Sequence, residues 1–81
     1  MDIAFTNHAR ESIKSRIGII SPYAMANAIV NIVQDAWAMP EHKVQQNDSK
    51  YLLTKNGFKW VVECKEPNKL IVVTVFPSPS T

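Results

Sequence analysis

Tyr51-Leu52-Leu53-Thr54-Lys55-Asn56-Gly57-Phe58-Lys59-Trp60-Val61-Val62-Glu63 is the stretch that decides the fold. Asn-Gly between two apolar runs is the strongest short signal for a β-hairpin. A type I′ turn needs positive φ at both central residues, and Asn and Gly tolerate it best. Residues 51–55 and a returning stretch from Phe58 to Glu63 or Lys65 therefore read as paired antiparallel strands. Alternation on the second strand puts Phe58, Trp60, Val62 and Cys64 on one face, and Lys59, Val61, Glu63 and Lys65 on the other. The Trp60 face is the expected core face. Glu66-Pro67-Asn68-Lys69 is a second turn. Residues 70–76 are almost wholly apolar and β-branched, which suits a central strand covered on both sides.

Upstream of the hairpin the period changes from two to about 3.6. Ile3-Ala4-Phe5 alternates as a short edge strand. Thr6 and Asn7 then offer N-cap oxygens to a helix starting near His8, with Ala9, Ile13 and Ile17 as its apolar stripe and Gly18 as a positive-φ stop. Ser21-Pro22 starts a second helix, because serine caps and proline at N1 gives up no needed donor. Residues 23–37 hold no Gly or Pro and place Ile29, Val33 and Trp37 on a wide apolar stripe, expected to pack on Phe58, Trp60 and Val62. A short strand is expected near Val44. The predicted architecture is α+β: two N-terminal helices packed on one face of a three- to four-stranded antiparallel sheet. One domain is expected over 1–76, followed by a flexible Pro/Ser tail over 77–81.

Composition excludes several function classes. With 81 residues the chain is one small domain with a thin core. A single cysteine, Cys64, rules out a disulfide framework and a Cys-rich zinc site. His8, His42 and Cys64 are too scattered for a metal site, and no Gly-rich phosphate loop occurs, so no metal and no cofactor is expected. No apolar run reaches membrane-spanning length, and the opening Met1-Asp2-Ile3-Ala4-Phe5 lacks the features of a signal peptide. The expected location is cytoplasmic, with no membrane partner. The net charge is +2, and the whole excess falls in the second half, on Lys43, Lys50, Lys55, Lys59, Lys65 and Lys69. An electrostatic footprint for an anion is expected there.

Thr6-Asn7-His8-Ala9-Arg10-Glu11, followed by Arg16-Ile17-Gly18-Ile19, resembles the opening of a family of small uncharacterised bacterial and phage domains. Their pattern runs Ser or Thr, one variable residue, His-Ala-Arg, a variable residue, Arg, three variable residues, then Arg-Gly-Ile. Val72-Val73-Thr74-Val75-Phe76 resembles their closing strand. The family is grouped with RelE- and BrnT-like toxins of toxin–antitoxin systems, within the barnase–EndoU–colicin–RelE nucleases. The resemblance implies a RelE-like fold and metal-independent cleavage of RNA. Under it His8 and Arg10 match the helix-start His and Arg, Arg16 matches the arginine before Gly-Ile, and Thr74 matches the threonine of the final strand. Ser12 stands where many members carry a second arginine, and Ile17 is inserted before Gly18.

The chemistry so implied is attack of a 2′-hydroxyl on the adjacent phosphate. His8 would serve as general base or acid, and Arg10 or Arg16 would clamp the phosphate oxygens. Thr74 would donate a hydrogen bond, while Lys59, Lys65 and Tyr51 would bind RNA, Tyr51 by base stacking. Each residue also has a plainer reading. His8 fills a helix start, Arg16 complements the helix dipole, Lys59 is a solvated strand residue, Thr74 is a β-former, and Tyr51 packs at an edge. Two functions stay open on these residues. One is a toxin-like endoribonuclease, or a degenerate relative, whose partners are RNA and an antitoxin. The other is a non-catalytic phage or mobile-element interaction module that binds and inhibits a host protein. Pairing through a sheet edge would further permit homodimers.

Overall fold

The computed structural model describes residues 2–18, 21, 23, 25–66 and 68–78. Its order is β1 (Asp2–Phe5), α1 (Asn7–Arg16), a π-helical turn (Met25–Ile29) running into α2 (Val30–Ala38), a 3-10 turn (Pro40–His42), β2 (Lys43–Gln45), β3 (Lys50–Lys55), β4 (Phe58–Glu66) and β5 (Lys69–Pro77). The strands form one sheet in the order β1-β5-β4-β3-β2. The α+β class and the pair of helices agree with expectation. The strand count and the antiparallel arrangement do not, because the sheet has five strands and β1 runs parallel to β5. A parallel pair needs a long crossover, and everything from α1 to β4 lies between these two strands.

Thr6 is the joint that makes this possible. Its N–H donates to Val72 O (3.1 Å) at the end of the parallel pair. Its Oγ1 accepts from Ala9 N (3.0 Å), capping α1, and donates to Val73 O (2.9 Å). One residue thus ends β1, starts α1 and ties both to β5. Gly18 at φ 90° ends α1 with its N–H on Ile13 O (3.0 Å). Asn56 at φ 55° and Gly57 at φ 79° form the expected hairpin turn.

The second helix is not one regular α-helix over 23–37. Its first part is a π turn, which fits an extra residue into one winding and breaks the ordinary i→i−4 ladder. Asn27 Nδ2 donates to Tyr23 O (2.9 Å) and Asn31 Nδ2 to Asn27 O (2.5 Å), so side chains serve carbonyls along this exposed flank. The Ser21-Pro22 start signal rests on Pro22, which lies outside the described residues.

Both helices cover the same side of the sheet. Ala9 and Ile13 of α1, Ile29, and Val33 and Ala36 of α2 join Leu53, Trp60, Val62, Leu70, Val72 and Val75 in one fully buried core. The strand members of this core stand in cross-strand rows: Leu53–Trp60–Val75, and Tyr51–Val62–Val72–Phe5. Trp60 is buried as expected, with Nε1 donating to Lys55 O (3.3 Å). Trp37 is only partly buried and packs on Tyr51 rather than in the centre. Pro77 closes β5 opposite Phe58, and Ser78 N donates to Gly57 O (2.9 Å). The pairing therefore runs past Phe76, where the flexible tail was expected to begin. The remaining tail residues, 79–81, lie outside the described residues.

Candidate interaction surface

The alternate rows of the sheet point away from the helices. They are Ala4–Ile71–Glu63–Lys50, then Val61–Leu52–Val44, then Phe76–Lys59–Thr54. None of these residues is fully buried, whereas every fully buried strand residue lies on the helix side. The Cα extents of 33 × 31 × 19 Å fit a single sheet carrying a single helix layer, since packed layers sit about 10 Å apart. Among the described residues, no element lies over this second face.

Its chemistry is unusual for a solvated sheet face. An antiparallel sheet covered on one side ordinarily alternates apolar-in and polar-out. Here Leu52, Val61, Ile71 and Phe76 occupy outward positions and are half-buried only by their neighbours, while Val44 is 56% exposed. Charged residues bound them on β3 and β4: Lys50, Lys59, Glu63 and, beyond, Lys65. Lys65 Nζ lies 2.7 Å from Glu63 Oε1. This hydrogen bond holds the Glu63 carboxyl below the usual glutamate range, aided by the charges of Lys65 and Lys50, and raises the Lys65 ammonium in turn.

The residues expected to form a nuclease site are spread over the molecule. His8, Arg10 and Arg16 are all exposed on α1. His8 and Arg10 are two positions apart, so they leave the helix in directions about 160° apart and flank it on opposite sides. Thr74 is partly buried under α1, where its Oγ1 lies 3.3 Å from Ser12 Oγ. Ser12 is itself buried, at the position where the resembled pattern carries a second arginine. The irregularity between Val61 and Val62, which puts Val73 out of register with β4, accompanies this turn of Thr74 toward the helix.

Tyr51 is on the helix side, in an edge-to-face contact with Trp37 at 4.8 Å and 81°. Lys43 Nζ sits over the Trp37 ring at 4.1 Å and 5.7 Å from the Tyr51 centroid. Tyr51 is thus already engaged as a packing partner. Lys59 and Lys65 belong to the opposite face. The arrangement brings Lys59 and Lys65 onto one surface with Lys50 and Glu63, and separates them from His8, Arg10, Arg16, Thr74 and Tyr51. Sequence reasoning counted Lys50 among the excess cations of the second half but missed Leu52, Ile71 and Phe76 as surface members. The available signal was the almost wholly apolar run over 70–76, in which Thr74 is the one polar residue.

No group of His, Cys, Asp and Glu among the described residues is placed to hold a metal ion, and no helix among them is long and apolar enough to cross a membrane. No family model matches the chain, and no curated protein or solved structure matches it. The likeness to RelE- and BrnT-like toxins therefore rests on the short stretches of sequence that carry it.

Proposed function

We propose that this chain is a protein-interaction module that works through the helix-free face of its sheet. The observation that carries the reading is β5. Its outward residues Ile71 and Phe76 are apolar like its inward residues Leu70, Val72 and Val75, yet the described chain supplies only one covering layer. Sequence chemistry on both faces of a central strand is that of a strand buried on both faces. Apolar surface of this kind gains about 25 cal/mol for each Å² removed from water, so a docked partner recovers what the fold leaves unused. The flanking lysines and Glu63 then set orientation and exclude wrong partners.

RNA cleavage through His8 and Arg10 draws less support, because their divergence on α1 leaves no common point for a phosphate. The test of the module reading is binding of the apolar anionic dye bis-ANS to the folded chain at nanomolar concentration, where associated copies separate. Wild type is expected to bind it, and Val61→Glu, which plants a charge of the dye's own sign in the middle of the face, is expected not to. Dye binding unchanged in a folded Val61→Glu variant would overturn the reading.

A further inference from the structure

We infer that the occupant of the helix-free face is a second copy of this chain, docked face to face as a two-sheet sandwich. The inference rests on the reading of that face as a docking surface, and adds what docks there. Its centre is the outward sequence of β4: Lys59, Val61, Glu63, a cation, an apolar residue and an anion at equal spacing. A twofold axis lying between the sheets, across the strands and through Val61, reverses the order of this triplet. Val61 then meets Val61 of the second copy, Lys59 meets its Glu63, and Glu63 meets its Lys59. The same operation sets Leu52 against Leu52, Lys50 against Thr54 and Ile71 against Phe76. The patch pairs its central cation and anion under such a rotation, as an isologous dimer requires, and sets the flanking Lys50 against a polar side chain. Stacked sheets related in this way rotate by about 30° because each is twisted, which keeps the central strands in register and splays the edges.

The dimensions suit the same occupant. Five strands about 4.8 Å apart, of four, three, six, nine and nine residues at about 3.3 Å each, present a face of roughly 500 Å². Two such faces bury about 1,000 Å², the least that a specific interface must clear. The sheet edges offer much less. β2 has three residues and β1 four, so an edge-to-edge extension forms few ladder bonds. Lys59 and Glu63 lie at opposite ends of the triplet, about 13 Å apart along one strand, so within a single copy they are too distant to pair. Glu63 instead holds Lys65 at the rim, where Lys65 is 55% exposed and Glu63 21%. That carboxylate, kept ionised by Lys65, is ready to receive a second cation from the facing copy.

Sedimentation velocity over a range of protein concentrations tests the inference. Wild type is expected to sediment as a dimer that separates on dilution, and Val61→Lys as a folded monomer. A charge cycle supplies the second measurement. Lys59→Glu and Glu63→Lys, each of which sets like charges against each other across the twofold, are each expected to weaken dimerisation about tenfold or more. The double variant Lys59→Glu/Glu63→Lys is expected to restore most of the loss, which a merely structural role for either residue would not produce. A wild-type chain that stays monomeric at high concentration, a dimer that survives Val61→Lys, or a double variant no tighter than its parents would each overturn the inference. If the chain is monomeric but still binds bis-ANS in a Val61-dependent way, the second copy is refuted while the docking surface stands. If it is monomeric and binds no dye, both are refuted.

Discussion

Replacing Thr6 by alanine removes both hydrogen bonds of one hydroxyl at once. Oγ1 caps α1 through Ala9 N at 3.0 Å and donates to Val73 O at 2.9 Å, next to Val72, whose carbonyl oxygen accepts the Thr6 N–H at the end of the β1–β5 pairing. Loss of an N-cap hydroxyl costs about 1 kcal/mol. Loss of the bond to Val73 O, which is partly buried, costs about 1 kcal/mol more. The two losses share a residue but not an acceptor or donor, so about 2 kcal/mol is expected for Thr6→Ala. A domain of this size has about 4–12 kcal/mol of stability in all. The variant should therefore melt roughly 8–16 °C below wild type. In urea the midpoint should fall with the slope unchanged, because the surface exposed on unfolding is the same. Thr6→Ser keeps the oxygen and should recover most of the loss. A Thr6→Ala variant within about 0.5 kcal/mol of wild type would refute the idea that this joint holds β1 and α1 to β5.

Trp60→Ala should cost roughly 3–5 kcal/mol, a large part of the chain's stability, read by circular dichroism during urea unfolding, since Trp60 is fully buried at the centre of the sheet. Lys43→Met should leave the fold intact and change the Trp37 fluorescence, because the ammonium 4.1 Å from that ring is removed. The Glu63 carboxyl should titrate below the ordinary glutamate range by NMR, and return to it in Lys65→Ala, because the Lys65 hydrogen bond is the leading cause of its shift. A depressed carboxylate contributes stability above its unfolded pKa and loses it as pH falls through the folded value. The Glu63–Lys65 contribution, and the dimer contacts that use ionised Glu63, should thus fade on acidification below the carboxylate range. Single-stranded RNA incubated with the purified chain should remain intact, and RNA cleavage abolished by His8→Ala would revive the nuclease reading.

Much of the local structure was legible in the residues. Asn56-Gly57 specifies its hairpin because few residues accept positive φ twice in succession. Trp60 and Val62 announce their burial by alternation, and Thr6 and Gly18 bound α1 through chemistry that acts within a few residues. The π turn over Met25–Ile29 was not legible, because apolar spacing along one helix does not reveal where an extra residue is wound in.

What the tertiary structure decided depends on contacts far apart in the chain. Ile3-Ala4-Phe5 reads as a strand by itself, but its parallel pairing with β5 comes from Thr6 bonding a residue 67 positions away. His8 and Arg10 look like a site because they are near neighbours in sequence, and the helical turn sends them to opposite flanks. Lys50, Lys59 and Glu63 look like scattered surface charges. They become one surface only when strand register sets Lys50 beside Glu63 and lines up Leu52 with Val61. Local preference by itself determined the strands, turns and buried alternation of this protein. Only the pairing of distant strands decided which charges share a face and which face the helices leave bare, because register and layer order are properties of the whole sheet.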